Sequence, residues 1–469
     1  MEKPSEGGLR RSLGLFDVTL FFVVATTNLQ WIATAAAAGP SSLVVWVLGG
    51  VALFVPLAVA VLFLSSRFPV EGGMYVWTKR AFGPAAGFMV GWTYWTSAVI
   101  YFPALLYFMA GNALYFGGSA AQANQTYYIL AALAGMTLAT LLNVVGLDVG
   151  KWLNNIGALC RWAVILLVVA LGTAAWWKFG SATTFSPEAL RPGTQLKDVL
   201  FWSTIALAWS GLESIPFMGG EVVRPRRTIP LGLALAAPLI AAIYIAGTAG
   251  VLAAIPARDV NPLLGAMQAI AQTAKRLGLP GLAPLGAVLV TASCLGSVGV
   301  WTGSAARIPF VAGLDRYLPE AFGRLHPRWR TPVTALLTQF AFAAALIVAG
   351  QSGASVRGAY DTLVSATVIT TLLPFLYLFA SAVKLRNEPA ATGEARIAGA
   401  PVVVVASTAG FVTTAVSIVL AAFPADDEPN KGLAVAKLLA LTVLVLASGA
   451  ALYLRGRRLG RVTAVAAGE

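Results

Sequence analysis

Charge is what this chain lacks most. Only 11% of its 469 residues are Asp, Glu, Lys or Arg, against roughly 25% in soluble domains, while 58% are hydrophobic and the mean hydropathy is +0.78. Water cannot be its only solvent. Acid is scarcer than base, 19 residues against 32. The resulting net charge of +13 would suit nucleic acid only on the basic face of a soluble module, and no polar stretch long enough for one occurs. Cysteine is limited to Cys160 and Cys294, both within apolar stretches, which argues against a disulfide framework or thiolate metal site and leaves packing as their expected role. The single histidine, His326, stands beside Pro327, so a metal cluster is not expected and a loop-structuring role is. No nucleophile motif, phosphate loop or paired-histidine signature is present. Neither an enzyme nor a cofactor is expected.

What is present is apolar length. A hydrocarbon core about 30 Å thick needs roughly 20 apolar residues per helix, and stretches of that length recur from residue 13 to residue 455. Twelve helices are expected, over 13–38, 43–66, 85–116, 126–145, 154–178, 198–223, 229–255, 282–313, 332–350, 358–385, 401–423 and 432–455. Two longer connections, 180–197 and 256–281, have the mixed composition of short surface helices or gate elements. Arg10 and Arg11 precede an apolar run without a small-residue cleavage site, so the run reads as the first span and not as a signal peptide. With the N-terminus in the cytoplasm, 23 of the 32 basic residues fall on the cytoplasmic side. The positive-inside rule then places both termini in the cytoplasm of a bacterial-type inner membrane, where excess base also attracts anionic lipid.

Helices 1 and 6 are interrupted near their middles by small and hydroxyl residues: Ala25, Thr26, Thr27 and Asn28 in one, Ser210, Gly211, Glu213, Ser214 and Pro216 in the other. Interruptions five helices apart are the pattern of an inverted repeat whose broken helices build a solute site. Unwound backbone survives inside a membrane only where protein or a water-filled cavity satisfies it. A kink at Pro216 in an ordinary span is the plainer alternative for helix 6.

Four stretches carry a resemblance: AAAAGP (35–40), FPVEGGMYVWTKRAFG (68–83), GLESIPFMGGEVVRPRRTIP (211–230) and ARIPFVAGLDRYLPEAFGRLHPRWRTP (306–332). In this order they resemble the amino acid–polyamine–organocation superfamily of permeases, over about residues 13–385. The resemblance implies an all-α membrane fold of two inverted five-helix repeats plus two further helices; on the expected spans these give a tail 1–12, a first repeat over 13–178, a second over 198–385, two further helices over 401–455 and a tail 456–469. It also implies a small-molecule amino acid or amine as substrate, with protons as a candidate coupling ion. One departure stands out. Where the family carries a Gly-Ser-Gly or Gly-Thr-Gly run whose bare amides hold the substrate carboxylate, this chain has Ala25, Thr26 and Thr27, and each side chain crowds the backbone.

The broken helices suit a zwitterion on physical grounds. The N-terminal end of each second half offers N–H groups to a carboxylate and the C-terminal end of each first half offers carbonyls to an ammonium. Thr26, Thr27 and Asn28 form the expected carboxylate end; carbonyls around Trp209 and Ser210 form the amine end. The threonine hydroxyls have an alternative in bonding back to their own helix. Trp209 is a candidate aromatic lid over the solute, against plain packing. Gly211 is expected to give the break its backbone freedom. Glu213, costly at mid-membrane, is expected to stay protonated, to exchange protons, to pair with a cationic part of the substrate, or to serve as a structural hydrogen bond to the helix 1 break. Glu221 is expected to pair with Arg224 or another loop base. Arg161 is expected about two turns into helix 5. By the resemblance it occupies the place of a lysine in proton-coupled and exchanger branches, where the charge stands in for sodium and braces helix 1 against helices 5 and 8; the alternative is an arginine snorkelling to the headgroups. Ser293 and Ser297 in helix 8 do not form the adjacent hydroxyl pair a sodium site would need. Neutral or hydrophobic amino acids are the expected solutes, given Trp31 and Trp209. A polyamine is the alternative, as is a non-transporting sensor of the same fold, which the short tails disfavour.

Overall fold

Proline and glycine set several helix edges. Pro84 and Pro225 stand at the first helical positions of two long helices, where a missing N–H costs nothing. Gly146, at φ 120°, turns the chain between two others. The computed structural model describes residues 11–68, 72–117, 124–194, 196–350, 356–388, 399–423 and 431–458. Pro69, Val70 and Glu71 of the second motif, and most of the two expected tails, lie outside these.

The fold is all-α, with helices 1 and 6 broken. Helix 1 comprises Leu15–Thr26 and Leu29–Ala37, and helix 2 runs from Ser42 to Arg67 through one π turn at Gly50–Phe54. Helices 3, 4 and 5 are Pro84–Ala113, Gln125–Val145 and Leu147–Phe179. Helix 6 is Leu196–Ala208 followed, after an unwound stretch, by the 3₁₀ segment Ile215–Glu221. Helices 7 to 12 are Pro225–Ala254, Leu282–Leu314, Val333–Gly350, Val356–Lys384, Ala400–Ala421 and Lys431–Arg458. Among the described residues ten helices are long and apolar enough to cross a membrane. Helix 9, shorter in its apolar stretch, and the broken helix 6 complete the twelve. Short amphipathic helices follow helix 2 (Met74–Phe82) and helix 7 (Gly265–Arg276). Each follows the second helix of a set of five, helices 1–5 and 6–10, and helices 11 and 12 come after them.

Helix 5 starts at Leu147, seven residues before the expected start at Asn154. Its first turns carry Asp148 and Lys151, so hydropathy sees only the apolar part of it. Arg161 is therefore fourteen residues from the helix start, about 21 Å at 1.5 Å per residue and much deeper than two turns.

Burial orders the bundle. Helices 1 and 3 have apolar windows 83% buried, while those of helices 11 and 12 are 28% and 11% buried. The former make the core and the latter present their surfaces to lipid. Small residues let the inner helices close up: helices 5 and 8 cross at Gly157 and Gly296, where a Cβ on either would lie 2.6 Å from the other's Cα.

A solute site where two broken helices meet

The halves of helix 1 are 12 and 9 residues long, about 18 and 14 Å, so the break falls near the middle of a 30 Å core. Thr27 and Asn28 are extended there (φ/ψ −85°/132° and −132°/133°). Helix 6 loses its α-helical form after Ala208, and Gly211 takes φ +119°. A Cβ at Gly211 would lie 2.6 Å from the Ala25 carbonyl oxygen and 2.8 Å from the Thr26 Cα. Only glycine allows the two unwound segments to touch here.

Unwinding leaves carbonyls without helical partners. Tyr244, on helix 7, answers both helices at once: its hydroxyl oxygen lies 2.7 Å from the carbonyl oxygens of Thr26 and of Ala208, the last residues of the two first halves. One hydroxyl proton serves one carbonyl at a time. The ring is held by stacking on Trp46, with centroids 4.1 Å apart. Tyr244→Phe keeps that stack and removes the one proton the two carbonyls share, so unfolding measurements are expected to show a loss of about 1–3 kcal/mol. A wild-type Tm would show that the hydroxyl does not hold the breaks.

Arg161 lies behind helix 1 and is 1% exposed, so it does not snorkel. Its guanidinium donates to the Ser293 hydroxyl (2.8 Å) and carbonyl (3.1 Å), the Ser297 hydroxyl (2.5 Å), the Val24 carbonyl (3.1 Å) and the Thr27 hydroxyl (3.0 Å). All five N–H groups of the fork are used, tying helix 5 to helix 8 and to the break of helix 1. Its partners are neutral oxygens.

Glu213 is fully buried. Its carboxylate receives the Gly211 N–H at 2.9 and 3.1 Å and the Tyr94 hydroxyl of helix 3 at 2.6 Å. The Gly211 N–H can only donate, whereas the Tyr94 hydroxyl can donate to a carboxylate or accept from a carboxylic acid, so the same contacts suit either protonation state. Glu221, at the end of the 3₁₀ segment, pairs with Arg307 of helix 8 at 2.7 and 2.9 Å. An ion pair was expected at Glu221; the base that makes it comes from a membrane helix, not from Arg224.

A pocket enclosing about 370 Å³ of space, part of it open solvent, lies beside the helix 1 break. Ala25, Thr26, Asn28 and Ser210, all expected site residues, line it together with Trp31 and Leu207. The remaining wall comes from helix 3 (Ser97, Ala98, Tyr101), helix 8 (Trp301) and helix 10 (Thr367, Thr371). Every lining side chain is uncharged. Gln30 donates to the Tyr101 hydroxyl, and Trp31 stacks on the Tyr101 ring with centroids 6.5 Å apart, joining the second half of helix 1 to helix 3. Four expected residues stand off the pocket: Thr27 turns to Arg161, Gly211 forms the contact between the breaks, Glu213 faces Tyr94, and Arg161 lies behind. Trp209 is also elsewhere, packed among Trp46, Phe54 and Tyr244. Gly49 and Gly50 of helix 2 lie against its ring. Trp301 is the tryptophan of helix 8 that faces the pocket, and its indole N–H has no protein partner.

A multi-pass helical membrane protein with two interrupted helices meeting at a small neutral pocket is a carrier of small solutes, not an enzyme. The chain matches the amino acid permease family model over residues 13–448 and belongs to that family, within the amino acid–polyamine–organocation superfamily. It is 26% identical to an uncharacterised transporter of Legionella pneumophila, over 80% of this chain and 82% of the relative. It is 25% identical to a methylthioribose transporter of Bacillus subtilis, over 85% and 86%. A probable agmatine/putrescine antiporter of Lactococcus lactis is 24% identical over 67% of each chain.

Proposed function

We propose that this transporter is a secondary active carrier, symporter or exchanger, that moves a neutral or hydrophobic amino acid by alternating access with protons as the coupling ion. The observation that carries the reading is the pocket itself, uncharged on every side and bounded by the free ends of two broken helices. The N–H groups that open the second half of helix 1, with Thr26 and Asn28, suit a carboxylate. Carbonyls around Ser210 suit an ammonium, and aromatic and aliphatic walls suit an apolar side chain. A diamine fits less well, since no lining residue is acidic and the nearby buried cation, Arg161, would repel it. The relatives' named solutes, methylthioribose in one and agmatine or putrescine in another, are chemically unlike one another and favour no single class, so support for an amino acid comes from the uncharged pocket.

In this reading helices 1, 2, 6 and 7 rock against helices 3, 4, 8 and 9, within repeats spanning 13–178 and 198–385, and both termini are cytoplasmic in a bacterial inner membrane. Arg161 holds a permanent charge where a coupling cation would otherwise brace helix 1. Glu213 then carries the proton: protonation weakens its hold on the Gly211 N–H and reverses the bond to the Tyr94 hydroxyl from acceptance to donation, which loosens the helix 6 break.

Uptake of L-leucine into proteoliposomes, with and without an imposed pH gradient, tests the reading. Glu213→Gln is expected to keep solute exchange and lose acceleration by the gradient. Unchanged pH-driven uptake in that variant would remove Glu213 from the coupling path.

A further inference from the structure

Three arginines, Arg224, Arg226 and Arg227, stand exposed where helix 7 begins. Among the described residues none of them makes an ion pair or a side-chain hydrogen bond. Glu221, the acid nearest in sequence, is already taken by Arg307 on the buried side. The field of the helix does not account for them either. Base is favoured in the last turn of a helix, as with Arg455, Arg457 and Arg458 of helix 12, and disfavoured in the first. The backbone nevertheless holds the cluster firmly. Arg224 takes φ 49° and ψ 59°, a left-handed conformation uncommon outside glycine and asparagine. The Val223 N–H bonds to the Leu13 carbonyl at 2.9 Å, the Thr228 hydroxyl donates to the Val223 carbonyl at 2.6 Å, and the Arg227 and Thr228 N–H groups each reach the Arg224 carbonyl at 3.0 Å.

Below the arginines, helix 7 turns two faces to different surroundings. Ile229, Leu233, Ala236 and Ile240 are buried, and a Cβ at Gly232 would lie 2.7 Å from the Val18 side chain of helix 1. Arg227, Leu231 and Leu235, spaced by four, share the opposite face, and the two leucines are 40% and 47% exposed. On a membrane helix such a stripe meets acyl chains, and Arg227 continues it toward the headgroups. We infer that this corner binds the phosphodiester headgroup of an anionic phospholipid, phosphatidylglycerol being the simplest, with an acyl chain along Leu231 and Leu235. Guanidinium forks match phosphate oxygens in geometry, and each base near a membrane surface adds to the attraction. A lipid supplies an anion and an apolar chain in the order the helix presents their partners, whereas free phosphate meets the arginines and leaves the leucines unused. The corner lies on the joint between helices 6 and 7, which a bridge between Leu13 and Val222 ties to the start of helix 1, so a bound lipid is placed to steady three helices at once.

The test uses the purified full chain in detergent, with short-chain phosphatidylglycerol, short-chain phosphatidylcholine and inorganic phosphate as probes in thermal shift; its outcome does not depend on which solute is carried. Phosphatidylglycerol is expected to raise the Tm more than either other probe at equal concentration, by a margin that shrinks in raised salt. In the triple variant Arg224→Asn, Arg226→Gln, Arg227→Gln, apparent affinity for phosphatidylglycerol is expected to fall about tenfold or more. The lipid-free Tm is expected to stay the same or rise, because asparagine suits the left-handed backbone and no protein partner is lost. Removing equal charge from helix 12, with Arg455→Gln, Arg457→Gln and Arg458→Gln, is expected to leave the affinity as it was. Wild-type affinity in the first triple variant overturns the inference. So does an equal loss in the helix 12 variant, the mark of diffuse attraction to any base. A shift with phosphate or phosphatidylcholine as large as with phosphatidylglycerol overturns the anionic lipid as occupant. Should the first triple variant not fold, Arg227→Gln alone decides in its place, with an expected loss of about threefold or more, and wild-type affinity there overturns the inference equally.

Discussion

Arg161→Ala is expected to abolish transport and to lower stability by about 3 kcal/mol or more. The side chain is fully enclosed and answers three hydroxyls and two carbonyls on two other helices. Its removal leaves several buried polar atoms without partners, at about 1–3 kcal/mol for each that cannot find another, and opens a cavity the bundle fills only partly. Function suffers further because the lost bonds to Val24 and Thr27 reach the break of helix 1, next to the pocket. Arg161→Lys separates charge from geometry: an ammonium keeps the cation but cannot reproduce a planar fork that bridges helices 1 and 8 together. An intermediate Tm with measurable, slower uptake is expected of it. The measurements are thermal unfolding in detergent and uptake into proteoliposomes. A wild-type Tm and uptake rate in the alanine variant would show that the guanidinium braces nothing the transporter needs.

The twelve spans were legible because scarcity of charge and recurrence of apolar stretches are one-dimensional properties. The edges were not: helix 5 takes Asp148 and Lys151 into its first turns, which hydropathy reads as loop. The breaks in helices 1 and 6 were visible because Thr, Asn, Ser and Gly cluster there, and the contact between them at Gly211 is what that glycine is for. The pocket wall was harder to see. Ser97 and Tyr101 share a helix face four residues apart, as do Thr367 and Thr371, but hydroxyls in apolar helices usually bond to their own backbone, so spacing alone does not mark a site. The tryptophans show the limit most clearly. With thirteen in the chain, nothing in the sequence tells that Trp209 packs on Trp46 and Tyr244 while Trp301, ninety-two residues later, faces the pocket. Tyr244 was hidden for the same reason, since its role exists only where two chain breaks converge.

Breaking the pair between Glu221 and Arg307 from one side is expected to cost about 3–5 kcal/mol, because the charge left behind stays buried and loses its bidentate counter-charge. The two side chains are 3% and 0% exposed and meet at 2.7 Å. Glu221 also anchors the N-terminal segment: its carbonyl accepts the Ser12 and Leu13 N–H groups at 2.9 and 3.1 Å, and the Val223 N–H returns to the Leu13 carbonyl at 2.9 Å. One residue thus joins the chain's beginning, the end of helix 6 and helix 8, which in the proposed cycle belong to the moving bundle and the scaffold. Arg307→Ala and Glu221→Leu alone are each expected to lower the Tm sharply. Combining Glu221→Leu with Arg307→Met is expected to recover most of the loss, since apolar residues of similar volume often replace a buried pair without penalty. Uptake should separate the two effects. Charges that part into water are solvated again, whereas an apolar plug must expose its surface to open, so the double variant is expected to be stable yet at least tenfold slower. A single variant with the wild-type Tm would show that the pair carries no weight, and a stable double variant with the wild-type rate would show that these two side chains stay together throughout the cycle.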